Sequence, residues 1–364
     1  MANVLDLHGL PQERIVFALS PLAELGSALH VLAEPAHHPA LHGWATATAS
    51  ALKPDLADRL CEAEFLWSSI RCDLLLPARP GDTLADELDQ LDRIDDETFV
   101  ATAFEITCTG RYEISTPSPL VDEDQRRRVR EQAAARGPRQ AAFVGRMLLD
   151  PDGLRAWLRR LFEDCEQAFF GDAWERVRVQ LAADARHKTE LLRHKGLADA
   201  LTAASPALRL DEDGQRVHID KLTTGRASAF ADPDDPGVTL LPTVFGRPHL
   251  TLAHPVGWRP VLQYPVAGHQ APQTLTVQDV QQRMEALAHP VRMRLCRSLA
   301  RGPHTTSELV DTYGLSAPEI SRHLTALKKA GLISTRRRGR YVLHQLDLTA
   351  VARLGSDFIE GVLR

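Results

Sequence analysis

Cysteine is sparse in this 364-residue chain. Its five cysteines, Cys61, Cys72, Cys108, Cys165 and Cys296, are scattered and form no CxxC pair. An odd, dispersed set argues against a disulfide framework and fits reduced thiols in a cytoplasmic protein. No apolar run reaches the roughly 18 residues that span a bilayer, and the amino terminus lacks the basic start and apolar core of a secretion signal. The 22 glycines are dispersed, so a GxGxxG or P-loop phosphate cradle is absent, and neither a GxSxG elbow nor an HExxH helix occurs. Asparagine is nearly missing, with Asn3 alone, and lysine is scarce beside arginine. That bias reflects GC-rich coding and bears little on function.

What is present divides unevenly. The chain carries 43 basic and 48 acidic residues. Residues 274–364 hold 14 basic against 8 acidic, a net of +6, which leaves the remainder at −11. A basic terminal part on an acidic body is the asymmetry of a protein whose one part meets a polyanion. Charge alone would also suit a membrane surface, so the pattern of residues has to decide.

Pro290 opens a helix with Val291, Leu295 and Leu299 on one face, and Gly302-Pro303 ends it. Thr305 and Glu308 are spaced as a capping box for a second helix, with Leu309 and Val310 inward. A turn at Tyr313-Gly314-Leu315 leads to a third, where Ser316 and Glu319 read as another capping box. On that third helix Ile320, Leu324 and Leu327 make a core stripe, while Ser321, Arg322, Thr325, Lys328 and Lys329 face away. This is helix-turn-helix grammar. Two strands are expected at 332–335 and 341–346, with Arg336, Arg337, Arg338, Gly339 and Arg340 as the tip between them. An arginine run is usually a solvated loop; directly after a capped basic helix it reads as a DNA-contacting wing.

Ala286-Leu-Ala-His-Pro-Val-Arg292, Leu315-Ser-x-x-x-Ile-Ser-Arg-His-Leu324, Lys329-Ala-Gly-Leu-Ile333 and Arg338-Gly-Arg-Tyr341 together resemble the ArsR/SmtB family over residues 276 to 346. The resemblance implies a winged helix-turn-helix homodimer that reads a palindromic operator in double-stranded DNA, commonly as a repressor. It implies DNA-facing roles for Ser316, Ser321, Arg322, His323, Thr325, Lys328, Lys329, Arg336, Arg337, Arg338 and Arg340. It also implies that the apolar seams Val277, Val280, Met284, Leu287 and Val351, Leu354, Phe358, Val362 lie at the subunit interface; the alternative for each seam is packing within its own subunit.

Metal-sensing members place cysteines on the first helix of the motif or carboxylates and histidines on the last helix. Here the first position reads Thr306-Ser-Glu-Leu-Val-Asp311, and the last helix offers only Asp357 and Glu360. Cys296 stands alone, as small core filler does. An effector other than a metal is therefore expected, with no cofactor and no metal site. A second histidine group, His30, His37, His38 and His42, is interrupted by Pro35 and Pro39, so no single helix face presents a ligand pair. These are expected to be surface or loop histidines, and His187 and His194 solvated helix surface.

Residues 11 to about 205 read mostly as helix, beginning with Ser20 as N-cap and Pro21 at the first helical position. Further helices are expected at 54–69, 84–94, 122–136, 154–170 and 173–193. Short β-type runs follow at 217–220, 238–241, 249–252 and 261–264, suggesting one small sheet. Phe17-Ala-Leu-Ser-Pro-Leu-Ala-Glu24, Trp174-Glu-Arg-Val-Arg178 with Asp184, and Leu241-Pro-Thr-Val-Phe-Gly246 resemble a domain of unknown function found ahead of ArsR-type domains in actinobacterial regulators. Trp67, Arg71, Trp174 and Arg178 are candidate effector contacts, each with core or surface as the alternative.

The resulting expectation is a mostly helical α+β protein. Residues 1–268 form an effector or dimerisation body (helical 1–205, β-rich 206–268), 269–275 a linker, and 276–364 the winged domain. It is not an enzyme; the competing reading is an enzyme or ligand-binding protein with a DNA-binding tail.

Overall fold

The computed structural model describes residues 3–68, 72–104, 117–220, 225–255, 257–266, 276–338 and 341–363. The chain forms two compact units, Met1–Gly268 and His269–Arg364. The expected linker, 269–275, lies outside the described residues. No described helix is long and apolar enough to cross a membrane.

The first unit begins with strands β1 (Asn3–Asp6) and β2 (Ile15–Phe17), followed by helices α1 (Pro21–Ala33), α2 (His42–Ala51), α3 (Pro54–Ala63), α4 (Leu84–Asp92) and α5 (Asp96–Phe104). Then come α6 (Glu123–Arg136), α7 (Pro138–Leu149), α8 (Pro151–Cys165), α9 (Gly171–Lys195) and α10 (Leu197–Ala204). A π-type turn at Glu166–Phe170 joins α8 to α9. Six strands end the unit: β3 (Leu208–Leu210), β4 (Arg216–Ile219), β5 (Gly225–Ser228), β6 (Val238–Thr243), β7 (Thr251–Ala253) and β8 (Val261–Pro265).

Most of the expected helices are present. The β-rich segment, however, makes two four-stranded sheets rather than one, ordered β3-β4-β1-β5 and β2-β6-β8-β7. Each recruits a strand from the first 17 residues, so the β layer is not confined to 206–268. β1 lies antiparallel to β4 and parallel to β5, and β2 runs parallel to β6 in the register Ile15↔Val238. Strands of three and four residues carry too little alternation to show in a sequence pattern.

The helices bury one large core through Leu25, Leu29, Trp67, Phe99, Phe143 and Phe162, and a second core lies between α9, α10 and the sheets. Ser20 caps α1 by accepting from Ala23 N at 3.0 Å. Glu87 on α4 accepts from Leu22 N at 2.6 Å and from the Ser20 hydroxyl at 3.1 Å. Burial raises the Glu87 carboxyl to about 8 despite these donors. α9 is held on the second sheet by Tyr264, whose hydroxyl donates to Asp184 at 2.8 Å, with Lys188 paired to the same carboxylate.

α1 is unusual in being buried along nearly its whole length. Its polar residues Glu24, Ser27 and His30 recur every three positions on one face, and Glu24 and Ser27 meet the carboxy-terminal end of β6 and its neighbour β8. Glu24 Oε1 accepts from Val244 N and Phe245 N at 2.8 and 3.0 Å, fixing the turn after β6. Gly246 closes that turn: a Cβ there would lie 2.6 Å from Thr243 Cγ2. The expectation that the histidines near α1 lie at the surface or in loops is corrected in part, since His30 stands on α1 itself. His30 and His38 are buried and His37 half-buried; only His42 is exposed. His187 and His194 are exposed on α9, as expected.

The second unit contains α11 (Val277–Ala288), α12 (Pro290–Leu299), β9 (His304–Thr305), α13 (Thr306–Tyr313), α14 (Ala317–Lys329), β10 (Ile333–Arg338), β11 (Tyr341–Leu346), α15 (Leu348–Ala352) and α16 (Leu354–Leu363). It has its own core of Leu295, Leu299, Leu309, Ile320, Leu324, Leu327, Leu332 and Leu346. Cys296 joins that core, and burial raises its thiol.

Candidate nucleic-acid interface

The short segments before α14 set its pose. His289 caps α12 through Nδ1, which accepts from Val291 N at 3.2 Å. Arg292 reaches back to the end of α11, donating to the carbonyls of Ala286 and Glu285 at 2.6 and 2.9 Å. Thr305 and Glu308 form the expected capping box on α13. Gly314 ends α13 in the left-handed region, φ 63°, which a side chain would disfavour. The Tyr313 hydroxyl lies 2.6 Å from Ser298 Oγ and donates to the Arg294 carbonyl at 2.7 Å, locking α13 against α12.

α14 presents two distinct faces. Ile320, Leu324 and Leu327 are buried, whereas Ser316, Ser321, Arg322, Thr325, Lys328 and Lys329 are exposed. One expectation is corrected here. Ser316 is the N-cap residue, but its side chain makes no capping bond. With Pro318 in the first turn the ring supplies the starting geometry by itself, and the Ser316 hydroxyl remains on the outer face. His323 is also less outward than its neighbours: it is half-buried, with its ring 4.8 Å from that of His289. Burial, then the neighbouring His289 and Arg292, hold its pKa below the ordinary histidine value.

β10 and β11 form the wing, with β9 completing a three-stranded sheet ordered β10-β11-β9. Arg336, Arg337 and Arg338 are paired in β10, opposite Leu343, Val342 and Tyr341, rather than in the tip as expected. Long charged side chains are well tolerated on an edge strand, so the ladder extends through them. Arg336 and Arg337 are both exposed and, by strand alternation, point to opposite sides. Arg340 lies outside the described residues, as does the side chain of Arg338.

Of the expected effector contacts in the body, two belong to the helical core and one to the surface. Trp67 is buried in the helical core. Trp174 is half-buried and stacks on Phe170, and Arg178 is exposed and paired with Glu175 at 2.8 Å. Arg71 lies outside the described residues. A cleft of about 370 Å³ lies elsewhere, lined by residues that include Gln12, Phe17, Thr189 and Arg193.

Comparison with known proteins accords with this division. A model described as "Family of unknown function (DUF5937)" matches residues 1–270, and one described as "Helix-turn-helix domain" matches residues 287–336. The chain is 38% identical over 84 residues to "HTH-type transcriptional repressor SmtB" of Mycobacterium tuberculosis, covering 21% of this chain and 62% of that protein. It is 38% identical over 69 residues to "Probable mercury resistance operon repressor" of Streptomyces lividans, covering 19% and 55%. It is likewise 38% identical over 73 residues to "HTH-type transcriptional regulator Rv2034" of M. tuberculosis, covering 20% and 68%. A solved winged helix-turn-helix domain, Mb0332 from Mycobacterium bovis, aligns at 27% identity over 25% of this chain and 84% of its own, with a TM-score of 0.21. The chain thus spans less than two thirds of the first two of these curated relatives. With a family match over nearly three quarters of its length, the chain belongs to the family of unknown function DUF5937, and its last quarter is an ArsR/SmtB-type winged helix-turn-helix domain.

Proposed function

We propose that this protein is a transcriptional repressor that binds a palindromic operator as a homodimer, with residues 1–268 sensing an effector that changes its hold on DNA. The observation that carries this reading is the outer face of α14, where Ser316, Ser321, Arg322, Thr325, Lys328 and Lys329 stand exposed in the unit that also presents Arg336 and Arg337. A helix of this kind fits the major groove, and cationic side chains on a strand pair suit the adjoining phosphates. The repressor names carried by the curated relatives support the sign of regulation.

A second copy has a surface to meet. Val277 and Met284 on α11 and Phe358 and Val362 on α16 are exposed, between 40% and 50%, while Val280 between them is buried. Two packed helices with half their apolar seam uncovered suit an isologous contact, and two-fold symmetry suits a palindrome. Acting on DNA, the protein is read as cytoplasmic. The body is read as a sensor rather than a catalyst, since the relatives of the winged unit carry the names of regulators.

The test is binding of the full chain to its own upstream DNA across a salt series. Affinity should fall steeply with salt, and Arg337→Ala should reduce the slope by about one per subunit, following roughly 0.9 per phosphate contact. Arg322→Ala should cost specific sites about 1–3 kcal/mol and random DNA less. Salt-independent binding, untouched by either change, would sink the proposal. Sedimentation of a Phe358→Glu variant as a monomer, against a dimeric parent, checks the interface.

A further inference from the structure

In the first unit three histidines converge from separate segments. His30 comes from the last turn of α1, His38 from the short turn after it, and His249 from the segment between β6 and β7. One ring nitrogen from each lies within 4.8 Å of the others. The ring centroids stand 4.9 to 5.2 Å apart, and His30 Nε2 is 3.1 Å from His249 Nε2. Two nitrogens on a tetrahedral ion with bonds of about 2.05 Å are about 3.3 Å apart, so this spacing is already close to that of a shared cation.

The far sides of two rings add an independent observation. His30 Nδ1 lies 2.6 Å from the Trp67 carbonyl, and His38 Nδ1 lies 2.5 Å from the Arg247 carbonyl. A carbonyl only accepts, so each Nδ1 carries the proton. In the neutral ring each Nε2 is then a lone pair on the side of the cluster. A backbone carbonyl that orients the opposite N–H is the usual support of a metal-bound imidazole. His37 completes the surroundings, with its ring 5.5 Å from His30 and 5.7 Å from His249, and a buried Nδ1 that lacks a hydrogen-bond partner among the described residues.

The placement is built in at a distance. Glu24 and Ser27 on the same face of α1 grip the turn at Thr243–Gly246 through Glu24 Oε1 and the Thr243–Ser27 contact. Three residues beyond that turn the chain delivers His249 over His30, one turn of α1 past Ser27. Pro35 and Pro39 therefore do not preclude a site, because the third ligand comes from 211 positions beyond His38.

We infer that His30, His38 and His249 form a binding site for one borderline transition-metal cation of the zinc class, with the fourth position filled by water or by His37. Imidazole nitrogen is the donor such ions favour over calcium or magnesium. The site lies wholly in the body and does not depend on the DNA-binding reading. It replaces the expectation of a protein without a metal site.

The test uses the full chain, stripped with a chelator and titrated with Co(II) and then with Zn(II) against a chromophoric competitor. One equivalent per chain with tetrahedral Co(II) absorption is expected. His249→Ala, at a half-buried position, should weaken binding by on the order of 100-fold or more, since even a supporting residue is worth 10 to 100-fold. His38→Gln should do likewise, while His42→Ala on the exposed helix α2 should leave binding unchanged. Circular dichroism keeps loss of fold separate from loss of ligand. Absence of stoichiometric binding by the parent chain, or equal affinity in a folded His249→Ala variant, would overturn the inference.

Discussion

Two positions in the winged unit show how single residues constrain it. At Gly314 the left-handed backbone has open space around an added Cβ, so Gly314→Ala meets a conformational penalty alone. A loss of about 1 kcal/mol in the unfolding free energy of this unit is expected, since a non-glycine residue costs roughly that in the left-handed region. His323 sets a pH dependence. Its folded pKa is lowered by burial and by His289 and Arg292, so the unfolded chain takes up the proton first. Stability is therefore full above about 6.5, the ordinary histidine value, and falls as pH drops from there through the folded value. Denaturant unfolding of His323→Gln beside the parent, above and below that pH, should show a flatter dependence in the variant. His344 is lowered in the same way by burial and by Lys328 and should supply a second part of the slope.

At the level of elements, the winged unit was far more legible than the body. Capping pairs, the Gly314 turn and the 3–4 spacing of Ile320, Leu324 and Leu327 are local signals, and local signals survive in a sequence. The sequence places the wing but puts its arginines in a turn, because the extent of a strand depends on its partner. In the body, α2, α5, α7 and α10 escaped notice, and so did the pairing of β1 and β2 with distant strands. The histidine cluster is hidden for the same reason: nothing near His30 in sequence announces His249. One tie in the winged unit was equally hidden. Arg283 on α11 donates to Asp357 on α16 at 2.8 Å and to the Ala330 carbonyl at the end of α14 at 3.2 Å. It thereby links the apolar helices to the end of α14. Both side chains of the pair are largely buried, so Arg283→Met should cost up to about 3 kcal/mol, because Asp357 keeps only the longer contact to Arg353 at 3.6 Å. Chemical denaturation reads that loss, and Arg283→Met with Asp357→Leu should recover much of it.

Across the whole molecule, two units with separate cores make separable melting steps the expectation. Calorimetry of the full chain should resolve two transitions. Operator DNA should raise only the one retained by an isolated 276–364 fragment, and Zn(II) only the other, since a ligand stabilises the unit that binds it. A single transition moved equally by both ligands would show instead that the units unfold together. The pairing of Ile15–Phe17 with Val238–Leu240 also bears on how the protein is made. β2 leaves the ribosome early but has no strand to join until some 220 further residues have been synthesised. At about 5–20 residues per second that is a wait of roughly 10 to 45 s. Through that interval the apolar face of β2 has to be sheltered. Strands made before the helices are thus seated after them, and the body is completed only as β6 and its neighbours are translated.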